Sequence, residues 1–352
     1  MRASELHRRF RPRQFDEVVG QDQAVGPIVA AIEADRVASV YLFTGPTGCG
    51  KSTLASLLSM AVNCTDLHGV NPCHRCPSCR SILEHRNPDI YEVDSSTGSE
   101  GIRSLAERLS FTRVGKRRVV RIDAAQVLSS PATSSLIPLL DWPPAHTIFI
   151  LMADAPKRVL RRLESRAVHL PLQSLPLDVV VARLRVVADS EKPGIQPSTL
   201  IAAASHAPGD LRDALSMLEV SILTGQPPST PTRELVRSLI TGDRIGAFTI
   251  VAEADATGIR AEVIAWRTLG QLRDVYLAQM GAAHHVRTMT REESIELAAM
   301  RTAEETITLM NDLGDAVRIM ALTDIDQRVV LEIMLGRLTG PARQDVVDDA
   351  TE

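Results

Sequence analysis

Aromatic residues are scarce in this 352-residue chain, at 3% of the sequence. The scarcity argues against a function that depends on aromatic platforms for stacking nucleic-acid bases. No run of about 18 apolar residues occurs, and residues 1–5 lack the apolar core of a secretion signal, so we expect a cytoplasmic protein without a membrane span. The formal net charge is only −4, which argues against coating DNA by bulk charge but leaves room for a local basic patch.

Short apolar, β-branched runs alternate with helix-patterned segments through the first half of the chain. Such alternation predicts an α/β fold in which helices cover both faces of a parallel sheet. After Pro171 the strand signal stops, and the remaining segments have the three- and four-residue spacing of helices. The predicted strands are residues 40–43, 90–93, 119–122, 147–151 and 167–170.

A proline-rich segment, residues 225–232, marks the clearest domain boundary, because no helix persists through such a run. The length of the chain and its 44% apolar content are sufficient for two or three globular domains. We expect a small helical domain before this segment, with its clearest helix opening at Asp210, and an all-helical domain after it. The predicted divisions are 1–173 (sheet domain), 174–224 (small helical domain), 225–232 (linker), 233–343 (all-helical domain) and 344–352 (acidic tail).

A glycine-rich run follows the first predicted strand and precedes a helix. It fits G-x-x-x-x-G-K-[ST], a pattern whose glycines let backbone N–H groups surround one phosphate at the positive end of a helix. Lys51 would reach the β- and γ-phosphates of ATP, and the Ser52 hydroxyl would ligate Mg²⁺, while Cys49 contributes only its backbone. The predicted ATP-binding residues here are Gly45, Pro46, Thr47, Gly48, Cys49, Gly50, Lys51, Ser52 and Thr53.

Hydrolysis needs a second acid for the metal and a group that orients the attacking water. Asp123 follows the strand 119–122 and is predicted to be the Mg²⁺-associated carboxylate. The next position, where such ATPases often have glutamate, is Ala124, and no acidic residue follows until Asp141. The sequence therefore predicts a nucleotide site with an incomplete catalytic set.

Four of the five cysteines fall within sixteen residues, in the pattern C-x8-C-x2-C-x2-C. Four thiolates form a closed tetrahedral set with no position for water, which favours structural Zn²⁺ over a catalytic ion. His68 or His74 is an alternative for one ligand, and an iron–sulfur cluster is an alternative for the metal. The predicted zinc ligands, in a module spanning residues 64–79, are Cys64, Cys73, Cys76 and Cys79.

Taken together, these motifs resemble the gamma/tau subunits of bacterial DNA polymerase III, the AAA+ ATPases of the sliding-clamp loader. Residues 6–12 (LHRRFRP) and 15–21 (FDEVVGQ) are similar to the opening of that family, which also carries a four-cysteine zinc module after the phosphate-loop helix. Further matches are Pro143-Pro144, Ser165-Arg166 and residues 209–215 (GDLRDAL). The resemblance covers residues 5–220 and continues weakly beyond, and the length suits the short gamma form.

The resemblance implies roles for particular residues and domains. Arg166 would be an arginine finger that reaches the ATP site of a neighbouring subunit, and Arg212 would be the sensor-2 arginine that couples nucleotide state to the lid. The backbone of Val18, Val19 and Gly20 would line the adenine pocket. Residues 174–224 would be the lid, and residues 233–343 the collar that holds a ring of subunits together.

Two positions depart from the family pattern. Where the family has Asp-Glu-x-His, this chain has Asp123, Ala124, Ala125 and Gln126. Where the family has a threonine pair in its sensor 1, this chain has Ala153 and Asp154. One hypothesis is that the Asp154 carboxylate acts on the same water as the missing glutamate.

The first functional hypothesis is a motor subunit that uses ATP binding and weakened hydrolysis to load a sliding clamp on primed DNA. The second is a non-catalytic ring component, similar to the delta-prime subunit, that donates Arg166 in trans, and the third is a stand-alone P-loop ATPase. Contacts with DNA would be directed at its backbone and sensitive to salt. The candidate DNA segments are residues 95–99 with Arg103 and Arg108, residues 116–118, residues 157–158 and residues 161–162, although solvated faces are the simpler interpretation of the last three.

Overall fold

The computed structural model describes residues 6–94, 96–154, 158–207, 209–226, 228, 231–256, 260–323 and 325–338. The chain divides into two compact units. The first contains Met1–Leu175, Val179–Ile195 and Gly209–Val220, and the second contains Pro176–Asp178, Gln196–Pro208 and Ser221–Glu352. The segment expected to form a lid, residues 174–224, is thus shared between the two units.

A five-stranded parallel sheet is the centre of the first unit and confirms the predicted α/β fold. Its strand order is β2-β3-β4-β1-β5. Three strands are longer than predicted and β5 is shifted by one residue. The strands are β1 (Val40–Thr44), β2 (Ile90–Val93), β3 (Arg118–Ile122), β4 (Thr147–Ala153) and β5 (Val168–Pro171).

Helices pack on both faces of this sheet, because successive strand residues point to opposite sides. On one face Tyr41 and Phe43 belong to a core that also contains residues of α2 and α3. On the other face Val40 and Leu42 belong to a core with residues of α5 and α6. The helices up to β5 are α1 (Leu6–Arg9), α2 (Asp22–Glu33), α3 (Lys51–Asn63), α4 (Pro77–Leu83), α5 (Ser99–Arg108), α6 (Ser130–Asp141) and α7 (Arg158–Glu164).

The described chain after β5 contains helices and no further strand, as the sequence predicted. Asp210 caps α10, since its Oδ1 accepts hydrogen bonds from the backbone N–H groups of Arg212 and Asp213 at 2.9 and 3.1 Å. The helices are α8 (Leu177–Glu191), α9 (Pro197–His206), α10 (Leu211–Thr224), α11 (Pro231–Thr241), α12 (Arg244–Ala256), α13 (Ala261–Gln279), α14 (Arg291–Ala298), α15 (Ala303–Leu322) and α16 (Gln327–Leu338).

The second unit has its own apolar core, contributed by α11 to α16. Helix α11 begins at Pro231, within the predicted linker, because proline is well tolerated in the first turn of a helix. Threonine caps start two helices, and Thr302 forms a reciprocal capping box with Glu305. The predicted acidic tail, residues 344–352, lies outside the described residues. Among the described helices, none combines the length and apolar character that crossing a membrane requires.

Candidate functional site

The phosphate loop connects the end of β1 to the start of α3, as predicted. The backbone N–H of Gly45 donates to the carbonyl oxygen of Ala153 at 3.1 Å, which anchors the loop to the end of β4. A Cβ atom at Gly45 would lie 2.4 Å from the carbonyl oxygen of Leu172. Gly48 has a φ of +71°, and a Cβ there would lie 1.8 Å from Oδ1 of Asp210. Glycine is therefore required at both positions.

Lys51 is folded back against this loop. Its Nζ donates to the carbonyl oxygens of Gly45 and Pro46 at 2.7 and 2.8 Å. The same Nζ lies 2.8 Å from Oδ1 of Asp154, and the lysine side chain is only 8% exposed. The lysine predicted to bind phosphate thus lies against the phosphate loop, with its ammonium on two loop carbonyls and one carboxylate.

The residues after β3 and β4 form the acidic side of the site. Asp123 is exposed, and its Oδ1 accepts a hydrogen bond from the backbone N–H of Ala124 at 2.9 Å. Ala124 has a left-handed φ of +47°, so the backbone turns sharply where the family has glutamate. Gln126 and Asp154 are joined by two hydrogen bonds. Gln126 Nε2 donates to Asp154 Oδ2 at 3.3 Å, and the backbone N–H of Asp154 donates to Gln126 Oε1 at 3.2 Å.

Gln21 is a buried residue to which the sequence analysis gave no role. Its Nε2 donates to the carbonyl oxygens of Cys49 and Gln173 at 3.2 and 2.8 Å, and its Oε1 accepts from the backbone N–H of Gln173 at 3.0 Å. The side chain therefore joins the phosphate loop to the segment that follows β5. The neighbouring residues Val18 and Val19 are buried and half-buried beside it, at the entrance to α2. The only available signal was the position of Gln21 in the FDEVVGQ segment.

Arg11 contacts the first turn of α3. The Nε of Arg11 donates to Oγ1 of Thr53 at 3.2 Å. Desolvation lowers the pKa of Arg11, and the positive charges of Arg121 and Arg212 lower it further. The charge of Arg212, the predicted sensor-2 residue, thus acts on Arg11, which itself contacts this end of the phosphate-loop helix. Positive charge in this arrangement favours a phosphate ligand.

Arg166 lies at the opposite edge of the sheet from the phosphate loop. It precedes β5, whereas the loop follows β1, and the two strands are parallel. Its Nε donates to Oδ1 of Asp141 at 2.5 Å, and its Nη1 donates to the carbonyl oxygen of Arg162 at 2.7 Å. Because parallel strands present their starts at one edge and their ends at the other, Arg166 projects from the edge remote from its own chain's loop.

The four clustered cysteines come together at the end of α3 and the start of α4. Their sulfur atoms all lie within 4.8 Å of one another. Tetrahedral zinc with Zn–S bonds of about 2.3 Å places sulfur atoms about 3.8 Å apart, so the cluster needs only a small contraction to hold the ion. Three of the sulfurs accept backbone N–H groups, at 3.3–3.4 Å.

The pKa is lowered for two thiols of the cluster, Cys73 and Cys76, and raised for the other two. Burial disfavours the Cys76 thiolate, yet N–H donors from Thr65 and Cys79 outweigh burial and lower the pKa of Cys76 to about 6. Burial raises the pKa of Cys64 and of Cys79, the two fully buried thiols of the set. The histidine alternatives point elsewhere, since His74 Nε2 lies 2.5 Å from the carbonyl oxygen of Arg13 and His68 lies 3.4 Å from Arg75.

The basic segment 116–118 is less solvated than the sequence suggested. Lys116 Nζ hydrogen-bonds to the carbonyl oxygen of Cys64, which attaches the loop before β3 to the cysteine module. Arg118 is buried, and its guanidinium hydrogen-bonds to the carbonyl oxygen of Phe111. Solvated charge is therefore the wrong interpretation for Arg118, whereas Lys116 remains exposed despite this contact.

The other basic segments are mostly exposed. Ser95 and Lys157 lie outside the described residues. The guanidinium of Arg108 lies 4.9 Å from the centre of the Tyr91 ring. The exposed arginines among the candidates are Arg103, Arg108, Arg161 and Arg162.

A parallel sheet, a glycine-rich loop after β1 and a lysine folded under that loop define a P-loop protein of the ATPase type.

Sequence comparisons narrow this class of protein. A family model described as DNA polymerase III, delta subunit, matches residues 20–176. The DNA polymerase III subunit gamma/tau of Mycobacterium tuberculosis is 33% identical over 219 residues. The tau subunit of Escherichia coli is 28% identical over 295 residues, or 79% of this chain. The predicted resemblance to the gamma/tau subunits is confirmed.

The matches cover a limited part of these relatives. The chain spans 38% of the Mycobacterium tuberculosis protein and 46% of the Escherichia coli protein. A solved structure of a DNA polymerase III, gamma subunit-related protein from Thermotoga maritima aligns with 91% of this chain and 98% of its own, at 14% identity and a TM-score of 0.44. The likeness to the gamma/tau subunits therefore depends on the sequence matches and not on the similarity to this solved structure.

Proposed function

We propose that this chain is an ATP-binding subunit of a sliding-clamp loader, in which nucleotide binding controls contacts between neighbouring subunits during DNA replication. The observation that carries the proposal is the shaped phosphate loop, with Lys51 beneath it, in a chain related to gamma/tau subunits. Arg11, which donates to Thr53 at the start of the phosphate-loop helix, would add positive charge beside the triphosphate. Val18, Val19 and Gly20, beside the buried Gln21, would contact the adenine.

Two ions belong to the proposal. Ser52 at the start of α3 and Asp123 at the end of β3 would hold Mg²⁺, which neutralises phosphate charge when bound with the nucleotide. Cys64, Cys73, Cys76 and Cys79 would hold a structural Zn²⁺, which the spacing of their sulfurs and the surrounding N–H donors favour. This zinc would stabilise the fold rather than take part in chemistry.

Hydrolysis in this subunit would be slow. Ala124 provides no general base, and loss of a positioned base typically costs on the order of 10² to 10⁴ in rate. Arg166, at the remote edge of the sheet, would serve the ATP site of a neighbouring subunit, where its charge stabilises the transferring phosphoryl group. Arg212 would respond to nucleotide in this chain's own site. The other expected partners are the remaining loader subunits, the sliding clamp and the backbone of primed DNA, all in the cytoplasm at the replication fork.

A second candidate is a delta-prime-like subunit that donates Arg166 but does not hydrolyse ATP. Two observations favour it. The family model that matches residues 20–176 is one of delta subunits, and the acidic side of the site lacks the expected glutamate. The two candidates share the fold and the position of Arg166, and they differ in whether bound ATP is turned over.

The test measures ATP binding by isothermal titration calorimetry and single-turnover hydrolysis, with the chain alone and assembled with the other loader subunits of its organism. Wild type is compared with Lys51→Ala, Ala124→Glu and, as the matched uncharged control, Ala124→Gln. We expect Lys51→Ala to weaken ATP binding by about a hundredfold, because the variant loses a charge-assisted hydrogen bond to phosphate. Ala124→Glu, but not Ala124→Gln, should raise the assembled rate at least tenfold.

The outcomes separate the candidates. ATP binding with measurable turnover supports the first candidate, and ATP binding without turnover, even in Ala124→Glu, supports the second. Absence of adenine-nucleotide binding in the assembled complex would overturn the proposed function. An equal rate in Ala124→Glu and Ala124→Gln would show that the missing carboxylate does not explain the slow hydrolysis.

A further inference from the structure

The ammonium group of Lys51 has three acceptors within the protein. An ammonium has three N–H donors and no acceptor. Here the three acceptors are the carbonyl oxygens of Gly45 and Pro46, at 2.7 and 2.8 Å, and Oδ1 of Asp154, at 2.8 Å. Only 8% of the lysine side chain is exposed. A phosphate that is to bind Lys51 must therefore displace one of these oxygens.

Asp154 is the acceptor most like a phosphate oxygen, because it carries negative charge. Its second oxygen, Oδ2, accepts from Gln126 Nε2 at 3.3 Å, and its backbone N–H donates to Gln126 Oε1 at 3.2 Å. The preceding residue, Ala153, accepts the hydrogen bond that anchors Gly45. The carboxylate is thus fixed from two sides and attached to the start of the phosphate loop itself.

We propose that Asp154 is a specificity-determining residue: its carboxylate occupies Lys51 in place of a terminal phosphate, so the site favours a nucleoside diphosphate over the triphosphate. This inference depends on the proposed function, because it assumes that the loop binds adenine nucleotides. The β-phosphate of a diphosphate can displace one loop carbonyl oxygen from Lys51 while the Lys51–Asp154 pair persists. A γ-phosphate competes for the same ammonium and approaches a fixed carboxylate of like charge.

The same geometry argues against the hypothesis that Asp154 activates water. One carboxylate oxygen lies on the Lys51 ammonium and the other accepts from the amide of Gln126, so both oxygens are already engaged by protein donors rather than directed at a water. Gln126, which departs from the family pattern, acts here as the positioning residue for Asp154. The two departures at the ends of β3 and β4 therefore belong to one hydrogen-bonded group, together with Lys51.

Asp154→Asn tests the inference, since it removes the charge and keeps the shape of the side chain. The dissociation constants of Mg-ADP, Mg-ATP and a non-hydrolysable ATP analogue are measured by calorimetry on the full chain. Because Asp154 is half exposed and therefore partly screened, we expect wild type to prefer ADP by only about tenfold. In Asp154→Asn the affinity for ATP should rise by about tenfold while that for ADP changes less than threefold.

Two further variants complete the design. Gln126→Ala removes the donor to Asp154 Oδ2 and should produce part of the same rise in ATP affinity. This variant also tests the inference if Asp154→Asn does not fold. Glu33→Gln removes one charge from an exposed position on α2 and should leave the ratio of ATP to ADP affinity unchanged. An unchanged ratio in Asp154→Asn, with both nucleotides still bound, would overturn the inference and leave the proposed function intact. No binding of either nucleotide by any variant would instead contradict the proposed function.

Discussion

Helix α3 carries a candidate site at each end, and the two are built in different ways. At its N-terminus the phosphate loop depends on backbone conformation, since Gly45 and Gly48 adopt φ values of +150° and +71° against close neighbours. At its C-terminus the cysteine module depends on side chains, with four thiols drawn together around α4. One helix therefore connects a site defined by its glycines to a site defined by its sulfurs, and we expect that a substitution can remove either site without the other.

The largest expected effect is at the cysteine end. Cys79→Ser changes a fully buried member of the cysteine cluster. If the cluster holds zinc as proposed, this variant should abolish zinc binding and lower the free energy of unfolding by about 3 kcal/mol. Metal content measured by mass spectrometry and thermal unfolding check the result. Cys49→Ser is the matched control, because Cys49 is buried but lies outside the cluster. If Cys79→Ser retained a full zinc equivalent, the four-cysteine assignment would be wrong.

The next effect is at the loop end. Gly48→Ala forces a side chain into the left-handed backbone and against Asp210, so nucleotide affinity should fall by about tenfold while zinc content stays constant. The control is Gly69→Ala in the cysteine module, where φ is +64° but no atom lies within 4 Å of the added Cβ. It should cost about 1 kcal/mol of stability and leave nucleotide affinity unchanged. Equal losses of affinity in both variants would mean that the two ends of α3 are not independent.

The smallest effect tests how far the loop depends on residues outside it. Gln21→Ala removes the donor to Cys49 and Gln173, so affinity for nucleotide should fall by about threefold and stability by about 1 kcal/mol. Calorimetry and thermal unfolding provide the measurements. Gln23→Ala, an exposed neighbour on α2, should change neither quantity. An affinity equal to that of wild type in Gln21→Ala would show that the loop holds its shape by itself.

What the sequence could predict was local in the chain. The phosphate loop and the cysteine cluster are each contained in a short segment whose residue types define the chemistry, so both were located before the structure. The strand ends were less predictable. Strand β4 continues to Ala153 because Met152 and Ala153 pair with Phe43 and Thr44 of β1, a partnership that depends on strand order.

The parts that sequence reasoning missed depend on that order. Asp154 reaches Lys51 because β4 lies directly beside β1, and neither segment alone indicates its neighbour. Gln126 stands where the family pattern has histidine, and its sequence position does not indicate that its amide donates to Asp154. Gln21 is a buried amide whose partners, Cys49 and Gln173, lie in two other segments, and the residues next to Gln21 in the sequence do not indicate these partners.

The pairing of Arg166 with Asp141 has a consequence for assembly. Their side chains are 31% and 37% exposed, and a partly exposed pair of this kind contributes at most about 1 kcal/mol. Under the proposed function, docking a second protomer trades this weak internal partner for the more densely charged phosphates of that protomer's nucleotide. A neighbouring protomer without bound nucleotide provides no phosphates to replace Asp141 as the partner of Arg166. The cohesion of the ring would then report which of its sites are filled.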